Sequence, residues 1–142
     1  MPRLPFLLFS ALCFLPVAAQ AHDHAAAVER CMAEHSGAPS VACLEAVFWD
    51  TQRHIARLEK TLLAGLRQQR QAGELTGTHH ELAASSLVDA AKKYEAFRER
   101  QCDFALGASG AAASGAEQVR WQCRIRLNDW RIDYLTGLRD SR

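Results

Sequence analysis

The sequence lacks an excess of charge of either sign, is poor in aromatic residues and proline, and has no long apolar run beyond its N-terminus. Its 17 Lys plus Arg against 16 Asp plus Glu give a formal net charge of +1. Nucleic-acid-binding proteins usually carry a basic excess that displaces phosphate counterions. A length of 142 residues argues against a multi-domain enzyme, and 49% hydrophobic residues argue against disorder. With 8% aromatic residues, four Pro and eight Gly, the composition is typical of one Ala- and Leu-rich helical domain.

Motifs of catalysis are also missing from the sequence. It contains no glycine-rich phosphate loop, no nucleophile elbow and no His-Glu-x-x-His pair. Asp129 and Asp133 share one helical face, but carboxylates spaced i, i+4 among arginines are usually surface salt-bridge positions. We therefore expect a protein that is not an enzyme and that needs no cofactor.

The N-terminus has the organisation of a secretory signal peptide. Arg3 supplies the positive start, 4–19 the apolar region, and the small residues on either side of Gln20 the cleavage motif. The apolar region is shorter than the roughly 20 residues of a membrane span, and two prolines interrupt it. We expect cleavage after Ala21, which leaves 22–142 as a single domain that is periplasmic or secreted.

Export changes the interpretation of the cysteines. Cys13 would leave with the signal peptide, and the remaining four would reach a compartment in which disulfides persist. These four are Cys31, Cys43, Cys102 and Cys123. No two of them have the short C-x2-4-C spacing that structural zinc sites favour. Two disulfides are expected, and spacing alone leaves three pairings open.

Capping signals and apolar periodicity predict three long helices. The first covers about 40–73, the second runs from a capping box at Thr78 or Ser86 to about 107, and the third covers about 114–139. Short connections make neighbours in sequence antiparallel. We predict an all-α fold, an antiparallel bundle of three long helices plus a short N-terminal helix, stapled by two disulfides.

This topology favours one disulfide pattern. Across an antiparallel hairpin, Cys102 near the end of the second helix and Cys123 near the start of the third are staggered by only about 4.5 Å. Cys31 and Cys43 flank a turn between the short helix and the first long one. We therefore favour the pairs Cys31 with Cys43 and Cys102 with Cys123.

Each long helix carries an apolar stripe at helical spacing, which we predict to form the core. The stripes are Leu44, Phe48, Ile55, Leu58, Leu62 and Leu66; then Ala83, Leu87, Ala90, Tyr94, Phe97 and Ala105; then Val119, Cys123, Leu127, Trp130, Tyr134 and Leu138. The last helix has a second apolar line, composed of Trp121, Ile125, Ile132 and Leu135. Either the short N-terminal helix covers that second line, or it forms a protein interface such as a homodimer contact.

Two charged features fall outside the apolar pattern. Arg98 lies within the second stripe, where it needs a partner such as Asp50, Asp129 or Asp133, or else serves to bind an anion. The first helix carries a basic ridge opposite its stripe, formed by Arg53, Arg57, Lys60 and Arg67. Such a ridge is either a solvated face or a docking surface for an anionic polymer or an acidic protein.

Two segments that flank a small-residue loop resemble the LprI-type lysozyme-inhibitor-like family. Residues 94–102 (YEAFRERQC) have that family's aromatic-x3-Arg-x3-Cys spacing. Residues 123–135 (CRIRLNDWRIDYL) have its Cys-x3-Leu-x3-Arg-x3-Leu spacing. The likeness is good over about 92–138, and its motif residues are mostly those that a disulfide-tied helical hairpin needs.

Upstream, the likeness is weaker. Cys43 and Asp50 fit the family's Cys-x6-Asp segment, but Arg53, His54 and Arg57 replace the Leu-Asn and Tyr that usually follow. The resemblance implies binding to a lysozyme-like peptidoglycan hydrolase whose cleft is blocked without chemistry. Such a cleft contains two carboxylates that a hydroxyl or a cation could pair with. The candidate target-binding residues are Ser109, Ser114, Thr78, His79, His80, Arg98 and Trp121.

Two other functions stay open. If cleavage leaves His22 first, the free amine, two amide nitrogens and the imidazole of His24 match a square-planar Cu(II) or Ni(II) site, to which His22 adds a second imidazole. Alternatively, the chain is a periplasmic interaction or structural module. We expect no nucleic-acid partner and no integral membrane span.

Overall fold

A computed structural model describes residues 24–141, and every regular element among them is an α-helix. The helices are α1 (His24–Glu34), α2 (Ala38–Gln71), α3 (Gly77–Ser109) and α4 (Ala113–Asp140). Each long helix packs against the other two, and α1 packs against α2 and α4. The prediction of three long helices plus a short N-terminal one is confirmed. No helix among the described residues has the length and apolarity needed to cross a membrane.

Both expected disulfides are present. Cys31 joins Cys43 with a Cα–Cα distance of 5.5 Å, which ties α1 to the start of α2. Cys102 joins Cys123 with a Cα–Cα distance of 5.6 Å, which ties α3 to α4. Each bridge closes a short stretch of chain across a helix–turn–helix junction, so one disulfide joins α1 to α2 and the other joins α3 to α4.

The core is built around α2. All six residues of its predicted stripe, from Leu44 to Leu66, are buried. One cluster contains Ile55, Leu58 and Leu62 with Tyr94 of α3 and two residues of α4. A second cluster, at the disulfide-tied end, joins α1 to Leu44 and Phe48. Because α2 contacts every other helix, its apolar periodicity identifies its buried face correctly.

The core face expected for α4 is correct only in part. Cys123 is buried and Leu127 and Leu138 pack against the core, but Trp130 and Tyr134 are 57% and 52% exposed. The second apolar line is buried as well, at Ile125, Ile132 and Leu135. The predicted stripe passed through Cys123, which faces α3, but the larger part of the α4 interface is with α2. When one helix carries two apolar lines, the line that faces the neighbour with the larger interface is the more deeply buried one.

Burial of this second line also removes it as a homodimer surface. Ile132 and Leu135 pack on α2, while Ile125 and the half-buried Trp121 pack in the cluster that includes Cys31 and Phe48. The N-terminal helix and α2 therefore cover the face that we considered for an interface formed by Trp121, Ile125, Ile132 and Leu135.

The stripe expected on α3 is only partly buried. Tyr94 is 8% exposed, but Phe97 is 50% exposed and Ala90 is also on the surface. Large hydrophobic side chains lie on several faces of α3, and four of them, Leu82, Val88, Phe97 and Phe104, are exposed, so its buried line is defined less sharply than the line on α2. Buried Arg98 and Cys102 take the positions between Tyr94 and the end of the helix.

Helix ends differ from the predictions by a few residues. Helix α2 begins at Ala38, and Ser40 is not its N-cap, because its hydroxyl donates to the Gly37 carbonyl at 2.7 Å. Helix α3 continues to Ser109, where Gly110 adopts the left-handed conformation (φ 62°). Helix α4 begins at Ala113, with no side-chain cap.

Candidate functional site

Helices α2 and α3 form a two-helix arm that extends beyond α4. Two hydrogen bonds set the register between α2 and α4, from Gln118 to Ser40 and from Asn128 to Thr51, with sequence separations of 78 and 77 residues. The two helices therefore run parallel, and the last turn of α4 is level with Leu63. Helix α2 continues for eight more residues to Gln71, which corresponds to about 12 Å.

A tight turn closes the arm. Gly73 has a φ of 77°, a backbone conformation that glycine adopts without steric cost. The amides of Glu74 and Leu75 donate back to the Gln69 carbonyl at 3.0 and 3.3 Å. The last carbonyls of α2 thus find partners within the turn, which fixes the direction in which α3 leaves.

The first turn of α3 presents the residues expected to bind a target. Thr76 is the N-cap: its hydroxyl accepts from the His79 amide at 3.3 Å and lies 3.1 Å from His79 Nδ1. Thr78 and His79 are exposed and His80 is half-buried. The predicted capping box at Thr78 is therefore displaced by two residues. His79 Nε2 makes no hydrogen bond within 24–141, so it is available to an external acceptor.

The tip of the arm carries charges of both signs. Glu74 and Glu81 are exposed, and the guanidinium of Arg70, in the last turn of α2, lies against Gly77 in the first turn of α3. Neither carboxylate makes an ion pair within the described part of the chain. An open groove of about 610 Å³ adjoins the tip and is lined by residues of α2, by Glu74 and by Arg139.

The other expected target-binding turn lies at the opposite end of the molecule. Helix α3 has 33 residues and separates the two turns by about 48 Å. The Ser109 hydroxyl donates to the Leu106 carbonyl at 2.8 Å and accepts from the Ala111 amide at 3.2 Å. The Ser114 side chain lies outside the described part of the structure. The two turns cannot contribute to one compact site.

Arg98 belongs to a buried polar cluster and not to a surface. It is 5% exposed, and its Nη1 donates to Gln52 Oε1 at 3.0 Å and to Asn128 Oδ1 at 3.1 Å. Its charge is balanced by Glu99, 3.0 Å away, and its guanidinium lies 5.0 Å from the centre of the Phe48 ring. The interpretation of Arg98 as structurally paired holds, but Asp50, Asp129 and Asp133 are not its partners.

Asn128, which the sequence analysis did not select, completes this cluster. Its Oδ1 accepts from Tyr94 and Arg98, and its Nδ2 donates to Thr51 Oγ1 at 2.7 Å and to Gln52 Oε1 at 3.2 Å. Every polar atom of this fully buried amide has a partner, so the cluster holds the helices together and offers no unfilled position to a ligand. The sequence signal was an amide within the second apolar line of α4.

Trp121, the last expected target-binding residue, is also mostly internal. Its ring centre lies 5.1 Å from that of Phe48, and the Arg124 guanidinium covers it at 4.8 Å. Exposed aromatic area on α4 comes instead from Trp130 and Tyr134, whose rings stack with centroids 6.2 Å apart.

The expected N-terminal metal ligands fall at the edge of the structure. His22 lies outside the described residues. His24 is 6% exposed, and its Nδ1 is 2.6 Å from Asp129 Oδ1. A square-planar site would need that imidazole to turn away from Asp129, and binding of Cu(II) or Ni(II) stays a prediction. Within 24–141 no group of three or more His, Cys, Asp or Glu side chains is placed to hold a metal ion.

Comparison with known proteins gives one match. The model of the family described as "Lysozyme inhibitor LprI" matches residues 20–135, which is most of the chain. No curated protein and no solved structure matches.

Proposed function

The chain belongs to the LprI lysozyme-inhibitor family, and on that premise we propose that it is an exported, non-enzymatic protein that occludes the cleft of a lysozyme-type hydrolase with the tip of its α2–α3 arm. The observation that carries the proposal is the extension of this arm past the end of α4. A cleft is concave, and the arm offers a narrow, protruding partner for it.

The chemistry of the tip suits a cleft that contains two catalytic carboxylates. The Thr78 hydroxyl and the His79 imidazole can each donate a hydrogen bond to a carboxylate. Charge-assisted hydrogen bonds of this kind are about twice as strong as neutral ones. Thr76 already holds the His79 ring through its Nδ1, so less side-chain freedom is lost on binding.

The test is a peptidoglycan hydrolysis assay with several lysozymes, using protein whose N-terminus has been verified. Inhibition by the parent should be competed by a chitooligosaccharide that fills the cleft. The double variant T78A/H79A should raise the inhibition constant about 10-fold or more, as expected for residues at the centre of an interface. The control variant S109A, at the opposite end of α3, should inhibit like the parent.

Two outcomes would overturn the proposal. If the parent leaves all lysozymes fully active at a large molar excess, the inhibitor function is wrong. If S109A abolishes inhibition while T78A/H79A retains it, the inhibitor function stands but the turn between α3 and α4 is the inserted segment.

A further inference from the structure

The basic ridge of α2 faces away from the core and ends at an exposed tryptophan. At 100° per residue, Trp49, Arg53, Arg57 and Arg67 all lie within about 60° of the direction of Lys60. All five are exposed, and Trp49 is 51% exposed. They form one nearly straight line on a single continuous helix, and the charged part from Arg53 to Arg67 is about 21 Å long.

The positive charge of this line is largely uncompensated. Arg53 pairs with Asp50 at 3.1 Å, but Arg57, Lys60 and Arg67 make no ion pair within the described residues. The nearest acid along the ridge, Glu59, points inward and is bonded to Arg131 at 3.2 Å. Glu45, one turn before Trp49, accepts a bond of 3.4 Å from the indole. Three adjacent cations thus have no internal partner.

We propose that this face of α2 docks on the anionic headgroups of a phospholipid bilayer. A straight line of cations on a rigid helix can reach a flat charged surface all at once. Trp49 favours a bilayer over a dissolved anionic polymer, because indole rings concentrate at the membrane–water interface. Clustered Lys and Arg side chains are attracted to the negative potential of an anionic membrane surface.

This docking uses side chains other than those of the arm tip, with Arg67 lying on the arm and Lys60 lining the groove that adjoins the tip. Helix α2 presents the ridge on the side opposite its core stripe, whereas Thr78 and His79 lie on the next helix, beyond the turn. A variant that no longer binds vesicles can still be assayed for lysozyme inhibition, and the reverse also holds. The docking proposal and the inhibitor proposal can therefore be disproved separately.

The experiment is cosedimentation of the full domain with vesicles. The parent should bind vesicles of equal parts phosphatidylcholine and phosphatidylglycerol, should not bind pure phosphatidylcholine, and should dissociate at high salt. The triple variant R57E/K60E/R67E should bind at least about 100-fold more weakly, given the usual contribution of each cation near an anionic surface. W49A should also weaken binding to the anionic vesicles at low salt, where the parent is bound.

The matched control is K92E/R100E/R126E. It changes the net charge equally at three exposed positions on α3 and α4 that make no ion pair among the described residues. The control should bind anionic vesicles much more strongly than the ridge variant. Equal weakening of both variants would show that net charge alone acts. Binding of soluble polyphosphate without binding of anionic vesicles would show that the ligand is a polymer. Either result overturns the proposal.

Discussion

At the scale of single residues, Asn128 explains how three helices meet without a continuous apolar core. One amide on α4 accepts from two side chains of α3 and donates to two of α2. The apolar setting of Arg98 correctly indicates a structural partner, but the partners are Glu99, Gln52 and Asn128 and not the expected Asp50, Asp129 or Asp133. Identifying Asn128 as a partner of Arg98 requires knowing how α4 is rotated about its own axis. Side-chain packing sets that rotation, and the local sequence does not.

We expect N128L to destabilise the protein by about 3 kcal/mol, because it leaves the Arg98 guanidinium and the Tyr94 hydroxyl without this acceptor and the Thr51 hydroxyl without its donor. The measurement is the free energy of unfolding in urea by circular dichroism. Q101L removes an exposed amide from α3 and should change stability by less than about 0.5 kcal/mol. Equal urea midpoints for N128L and the parent would contradict this role.

Tyr94 gives a prediction about pH. Burial raises the pKa of its phenol to about 12, an effect that the nearby Arg98 and Arg131 oppose and Asp129 adds to. An unfolded tyrosine ionises near pH 10. Since folding favours the protonated phenol, its contribution to stability is complete below pH 10 and is lost as the pH rises to about 12.

The measurement is an absorbance titration of phenolate in the Y134F background, where Tyr94 is the single tyrosine. The midpoint should lie near pH 12 in the folded protein and near pH 10 in urea. Coincident midpoints in the two states would show that the phenol is not buried.

At the scale of helices, periodicity predicted the elements well and their ends and faces less well. The six-residue stripe of α2 is fully buried because α2 has neighbours along its whole length on that side. Helix α4 has two neighbours and two apolar lines, so its periodicity does not decide which line faces α2. The start of α3 is predicted at Thr78 or Ser86, each of which is followed by an acidic residue three positions later, but the turn at Gly73 brings Thr76 to the N-cap position.

This difference can be tested with two threonines separated by one residue. T76A should lower the stability by about 1 kcal/mol, because the His79 amide loses its side-chain acceptor. T78A should leave the free energy of unfolding nearly unchanged, since that side chain is exposed and forms no cap. A larger loss of stability for T78A than for T76A would show that the N-cap is Thr78, as in the predicted capping box.

At the scale of the whole molecule, the fold and both disulfides were predictable, but the arm was not. An even number of cysteines placed near predicted helix ends was enough to propose both pairs. The arm depends on the register between α2 and α4, and contacts such as Gln118 with Ser40 set it. No local sequence pattern indicates which residues of α2 and α4 lie side by side. For the same reason, the sequence offered the two turns as equal candidates for target binding.

The two disulfides should each contribute to stability. Removal of either pair, by C31S/C43S or by C102S/C123S, is expected to cost about 3 kcal/mol, slightly more for the second because it closes the longer loop. Urea unfolding of the oxidised variants measures this. A stability unchanged from the parent in either double variant would contradict a structural role for that bridge.

The central claim is that the tip of the α2–α3 arm enters the cleft of a lysozyme-type hydrolase. Hydrogen–deuterium exchange of the domain, alone and with an inhibited lysozyme, tests it most directly. The account predicts new protection at the amides of 72–82 on complex formation. Protection confined to the turn around Gly110 or to the surface around Trp130 and Tyr134, with exchange at 72–82 unchanged, would contradict it.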